Sequence, residues 1–106
     1  MYAKIEKDLR LMIELLKKDD SGWTQLFKKA LIEFESDKYQ LCASTILSGS
    51  GGMGSLNDLV LGQAVDEKGN FQWKTGYNEM NNSYQELLTS LYAFAQDIQR
   101  TTKKPK

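Results

Sequence analysis

Apolar residues recur at helical spacing towards both ends of the chain and change period in the middle. Ile5, Leu9, Met12, Ile13 and Leu16 form one stripe over residues 2–18, the pattern of an amphipathic helix with a single buried face. Glu14 and Lys18 stand four apart on its polar side, in the order that favours pairing. Asp19-Asp20-Ser21-Gly22 breaks the pattern and offers side-chain oxygens suited to capping a second helix. That helix is predicted by Trp23, Leu26, Phe27, Ala30, Leu31 and Phe34, and the short connection makes the pair an antiparallel hairpin. Asp37 with Gln40 three residues on has the form of a capping box, and predicts a shorter third helix burying Leu41, Ile46 and Leu47. It ends where Gly49-Ser50-Gly51-Gly52-Met53-Gly54 places four glycines in six positions.

Beyond the glycines the residues become short, β-prone runs. Leu59-Val60-Leu61, Ala64 and Val65 precede the turn sequence Asp66-Glu67-Lys68-Gly69-Asn70, and Phe71-Gln72-Trp73 alternates after it. Residues 59–65 and 70–74 are predicted to form a small hairpin, with Gly69 supplying a left-handed residue. A two-stranded ribbon is marginal alone, so it is expected to pack against the helices. Tyr84, Leu87, Leu88, Leu91, Tyr92, Ala95 and Ile98 then keep helical spacing for four turns, starting at a Ser83–Glu86 capping pair or earlier, near Asn78. The predicted fold is mainly α: four helices with a small β-hairpin between the third and fourth. Residues 1–100 read as a single helical domain and 101–106 as a basic, frayed tail.

Composition narrows the chemistry. The chain has 106 residues, 41% apolar and 26% charged, which is the make-up of one folded domain. Fourteen basic residues balance fourteen acidic ones, so net charge gives no argument for direct nucleic-acid or membrane binding. Setting aside the three lysines of the tail leaves a net of −3 on the body. Histidine is absent, which removes the commonest general base and metal ligand. Cys42 is the single cysteine; it reads as a small buried hydrophobe and leaves no internal disulfide or Cys-based metal site. No cofactor and no metal are expected. No run approaches the length of a membrane span, and residues 1–10 alternate charge with hydrophobicity rather than forming a signal peptide, so a reducing cytoplasm is expected.

Gly49 to Gly54 formally matches the G-x-G-x-x-G of dinucleotide-binding folds, yet a helix precedes it and no βαβ unit follows. The competing readings are a tight structural turn built on Gly51, Gly52 and Gly54 and an exposed recognition loop. Ser55 reads as a cap rather than a nucleophile, since no base accompanies it. Asn57 and Asp58 either face a partner or bond the loop's own amides. The clusters Glu33-Glu35-Asp37 and Asp19-Asp20 read as solvated faces, or as an acidic surface for a basic partner. Trp73 and Tyr77 stand apart from the apolar stripes, in a polar segment with Lys74 and Asn78. They read as interface anchors or as the residues that pack the ribbon on the helices.

The run Gly51-Gly52-Met53-Gly54-Ser55-Leu56-Asn57-Asp58-Leu59-Val60-Leu61 resembles the central signature of a family of small bacterial proteins with a Gly-Gly-Met-Gly-Ser-[Leu/Phe]-Asn-Asp-Leu core. Those proteins place two helices before the signature and a long helix after it. By class analogy the resemblance implies an immunity protein, which binds and blocks a cognate toxin domain. A nuclease is the toxin class that an acidic body would suit. The expectation is therefore a non-catalytic, cytoplasmic protein-binding domain with Met53, Asn57, Asp58, Trp73 and Tyr77 as candidate contact residues. A structural or adaptor subunit of another complex, and an enzyme holding a nucleotide or phosphate at Gly49–Gly54, are the alternatives.

Overall fold

The computed structural model, which describes residues 2–19, 21–49, 56 and 59–102, places helix α1 at Ala3–Lys18, α2 at Thr24–Glu35 and α3 at Tyr39–Leu47. Strands β1 (Gln63–Val65) and β2 (Phe71–Trp73) follow, and helix α4 (Tyr77–Thr102) ends the fold. The architecture is mainly α, with the two-stranded antiparallel hairpin between α3 and α4. Helix α1 packs on α2 and α4, and α3 packs on the same two, so the four close into a ring about one core.

Each helix presents the apolar stripe its sequence carries. Leu9, Met12, Ile13 and Leu16 of α1 meet Phe27, Ala30 and Phe34 of α2, Cys42, Ala43 and Ile46 of α3, and Tyr84, Leu88, Leu91, Phe94 and Ala95 of α4. Leu56 and Leu61 enter the same core from the connection after α3. Full burial of such a side chain stabilises by about 1.5–3 kcal/mol, which makes this core the main stabilising element. Polar pins cross it. Asp8 of α1 accepts from Lys4 (2.8 Å) and from Ser90 of α4 (2.7 Å), Thr45 of α3 donates to the buried Glu33 of α2, and the Tyr84 hydroxyl donates to the Leu56 carbonyl (2.7 Å).

Several expectations are corrected. The Asp37–Gln40 capping box does not form: the residue before α3 is Lys38, with no side-chain cap. Asp37 instead closes α2. Its φ is +62°, its N–H bonds the Phe34 carbonyl (3.1 Å) and the Lys38 N–H bonds that of Glu33 (2.9 Å). This is a Schellman ending with aspartate where glycine is usual. The α3 face is turned relative to expectation: Cys42, Ala43 and Ile46 are buried, Leu47 is half-buried, and Leu41 is exposed. Small Cys42 and Ala43 let α3 approach its neighbours closely, which points Leu41 outward. Helix α4 begins at Tyr77, in line with the earlier of the two expected starts, near Asn78, so Ser83 and Glu86 lie within it; it runs to Thr102, past the expected boundary at residue 100. The Glu14–Lys18 pair is not among the ion pairs of α1, which are Lys4–Asp8 and Glu6–Arg10. No helix is long and apolar enough to cross a membrane among the described residues.

Candidate functional site

The hairpin is shorter than expected and meets α4 at its base. Its strands are three residues each, paired Gln63 to Trp73, Ala64 to Gln72 and Val65 to Phe71. The turn is a three-residue type with Gly69 at φ +83° and the Gly69 N–H on the Asp66 carbonyl (3.0 Å). The Asp66 side chain reinforces it, accepting from the backbone N–H of Asn70 (2.8 Å) and of Lys68 (2.9 Å) and from the Gln72 amide (3.2 Å). The Asn70 N–H foremost, and then that of Lys68, hold the Asp66 carboxyl below the usual carboxylate range.

The expected packing of the ribbon on the helices is confined to its base, where Trp73 of β2 stacks on Tyr77, the first residue of α4. Val65 is 68% exposed, Phe71 55% and Trp73 45%. Period-two alternation puts these three side chains on one face of the hairpin. The rings pack on each other and on Tyr77: Phe71 and Trp73 are edge-to-face at 4.9 Å, and Trp73 stacks on Tyr77 at 4.5 Å and 20°. The result is an aromatic row, open to solvent on one side, running from the hairpin to the first residue of α4.

Polar tethers hold the arm at its base. Asp19, just after α1, accepts from the Gly62 N–H (3.0 Å) and from the Lys74 ammonium (3.2 Å), one on each side of the ribbon. Asn81 of α4 clamps the Leu61 backbone, accepting from its N–H (2.8 Å) and donating to its carbonyl (2.9 Å). Gly62 has φ +85° and approaches Tyr77 so closely that a Cβ would lie 2.6 Å from the tyrosine's own. A side chain at 62 would thus push the aromatic row away from its base.

Of the residues singled out from sequence, Trp73 and Tyr77 are brought together here. Met53, Asn57 and Asp58, with Gly51, Gly52, Gly54 and Ser55, lie outside the described residues. Of the described residues beside them, Leu56 donates its N–H to the Gly49 carbonyl (2.8 Å). Sequence reasoning assigned Asp19 and Glu33 to solvated faces; the structure makes the first a tether and buries the second. It also missed Val65 and Phe71 as partners of Trp73, although the alternation of Phe71-Gln72-Trp73 carries that signal. Cys42 is buried as expected, and burial, with Glu33 nearby, pushes its thiol up to about 12, so it stays protonated and inert at neutral pH.

Residues 16–68, half of the chain, match the model of a domain of unknown function (DUF6966). The chain belongs to the DUF6966 family. No curated protein and no solved structure matches it significantly. The DUF6966 match runs from the end of α1 into the hairpin turn, so it contains Asp19 and the whole glycine-rich stretch. It stops short of Phe71, Trp73 and Tyr77. Asp19, Leu61 and Gly62 are thus within the DUF6966 segment, while their partners Lys74 and Asn81 and the exposed aromatic row come after it.

Proposed function

We propose that the protein is a non-catalytic binding module that acts through its hairpin arm, and that its partner is a toxin domain which it neutralises as an immunity protein in the bacterial cytoplasm. The observation that carries the binding reading is the aromatic row of Phe71, Trp73 and Tyr77, presented with Val65 on an arm tethered at its base. Exposed large aromatics held in place by their own stacking are the anchors around which protein interfaces concentrate their binding energy. The row loses little conformational entropy on binding, because stacking already orders it. The toxin-neutralising reading rests on the resemblance of residues 51–61 to a family of small bacterial proteins and on the class analogy between such domains and immunity proteins. The net charge of −3 outside residues 101–106 suits a toxin with a basic, nucleic-acid-binding groove.

Co-expression with the toxin domain encoded beside this chain tests the proposal. The expected outcome is a stable complex, recovered on purification, and survival of cells that otherwise succumb. Survival without complex formation, or a complex that leaves the toxin active, would overturn the immunity reading. If the chain instead co-purifies with a non-toxic assembly, the adaptor reading takes its place.

A further inference from the structure

Two grooves on opposite sides of the helical ring leave aliphatic side chains in solvent, and the charges beside them are opposite in sign. The first lies between α2 and α3, where Ile32 and Leu41 are accompanied by Lys28, Lys29 and Lys38. Ile32 is 64% exposed, an unusual position for isoleucine in the middle of a helix. None of the three lysines is ion-paired among the described residues. The acids of the same stretch are engaged elsewhere: Glu33 is buried on Thr45, Glu35 pairs with Arg10 of α1, and Asp37 accepts from the Tyr39 hydroxyl.

The second groove lies between α1 and α4. Leu11, Leu15 and Leu87 line it, with Glu14 and Glu86 at their side and Lys18 at the end of α1. Leu11 is exposed, and Glu14 and Glu86 are not ion-paired among the described residues. Because α1 meets α4 and α2 meets α3 around the ring, the two grooves face away from each other.

The geometry points to a second copy of this chain as the occupant of each groove, with the α2–α3 face of one molecule seated on the α1–α4 face of the next. Ile32 and Leu41 then meet Leu11, Leu15 and Leu87, while Lys28, Lys29 and Lys38 oppose Glu14 and Glu86. Such a contact is heterologous: each pair retains one free face of each kind, so assembly continues into rows or closes into rings. The apolar area is small and the charges sit at its rim, so association is weak, rises with concentration and is screened by salt. This surface is separate from the hairpin arm and does not depend on what the arm binds.

Sedimentation velocity of the full chain, from micromolar to millimolar concentration at low and high salt, reads it directly. The expected result is an average mass that climbs with concentration and falls with salt. Lys28→Glu with Lys29→Glu, and separately Glu14→Lys with Glu86→Lys, should each weaken self-association by roughly tenfold or more, because like charges then face each other. An equimolar mixture of the two variants should associate again, and that recovery shows that both are folded. Ile32→Asp should weaken association at every salt concentration. A wild-type protein that stays monomeric throughout would overturn the proposal. So would charge variants that associate like wild type, folded variants that fail to associate when mixed, or association abolished by Trp73→Ala, which would move the contact to the arm.

Discussion

The molecule holds two aromatic clusters of similar ring spacing and opposite setting. Tyr2, Phe34, Tyr39 and Phe94 meet edge-on or tilted, with ring centroids 5.0 to 6.2 Å apart. Phe71, Trp73 and Tyr77 are as close, at 4.9 and 4.5 Å. Ring contact alone therefore does not distinguish them. The first cluster is fed by the N-terminal end of α1, by α2, by α3 and by α4, and Phe34 and Phe94 are buried where these converge. The second is fed by one short strand and the first residue of α4, and Phe71 and Trp73 stay about half exposed. Aromatic residues on converging helical stripes are cemented into the fold, whereas those on a ribbon held only by its base remain available to a partner.

The sharpest way to break this comparison is to delete one ring of the buried cluster. Phe94→Ala should cost about 3–5 kcal/mol, because the cavity it leaves is walled by three helices that cannot collapse into it. A loss under about 1 kcal/mol in urea unfolding would show that the cluster is not close-packed. Next comes the tether. Asp19→Ala removes the acceptor for Gly62 and Lys74 and should cost about 1–2 kcal/mol, concentrated in the hairpin. Hydrogen exchange should then show hairpin amides losing protection while those of α1 and α2 keep theirs. Equal loss everywhere would mean that arm and bundle unfold as one unit.

A smaller effect is expected beside the buried cluster. Asp37→Gly relieves a left-handed residue at the end of α2 and should raise stability by about 0.5–1 kcal/mol, less whatever the Tyr39 hydroxyl contact contributes. A decrease would show that the contact to Tyr39 outweighs the strain. The mildest effect is on the arm's pH dependence. The Asp66 carboxyl lies below its ordinary range when folded, so its contribution is present above that range and is lost as pH falls through the folded value. Acidification should accordingly broaden the amide signals of Lys68 and Asn70 before any helix is affected. Asp66→Asn should abolish that early change.

The helical part of the fold was legible because burial imposes a period. The stripes Leu9–Met12–Leu16 and Leu88–Leu91–Ala95 appear in the sequence as they do in the core. The third helix was misread where the rule is weakest: Cys42 and Ala43 are small, so Leu41 outweighs them in a hydrophobic pattern although they face inward. Asp37 looked like a helix start because aspartate serves there more often than in a left-handed helix ending. At the candidate site, the placement of Trp73 and Tyr77 outside the stripes marked them as different. Asp19 could not be found this way, since it acts on Gly62 and Lys74, 43 and 55 residues along the chain. No local pattern encodes a contact of that range.

The central claim is that the arm's aromatic row serves a partner and not the bundle. It is tested most directly by measuring unfolding free energy and partner affinity on one variant, Phe71→Ala with Trp73→Ala. The account expects urea unfolding within about 1 kcal/mol of wild type, as for exposed positions, and affinity for the proposed toxin partner reduced roughly tenfold or more, as for interface anchors. A variant destabilised by several kcal/mol that still binds its partner at wild-type affinity would contradict it.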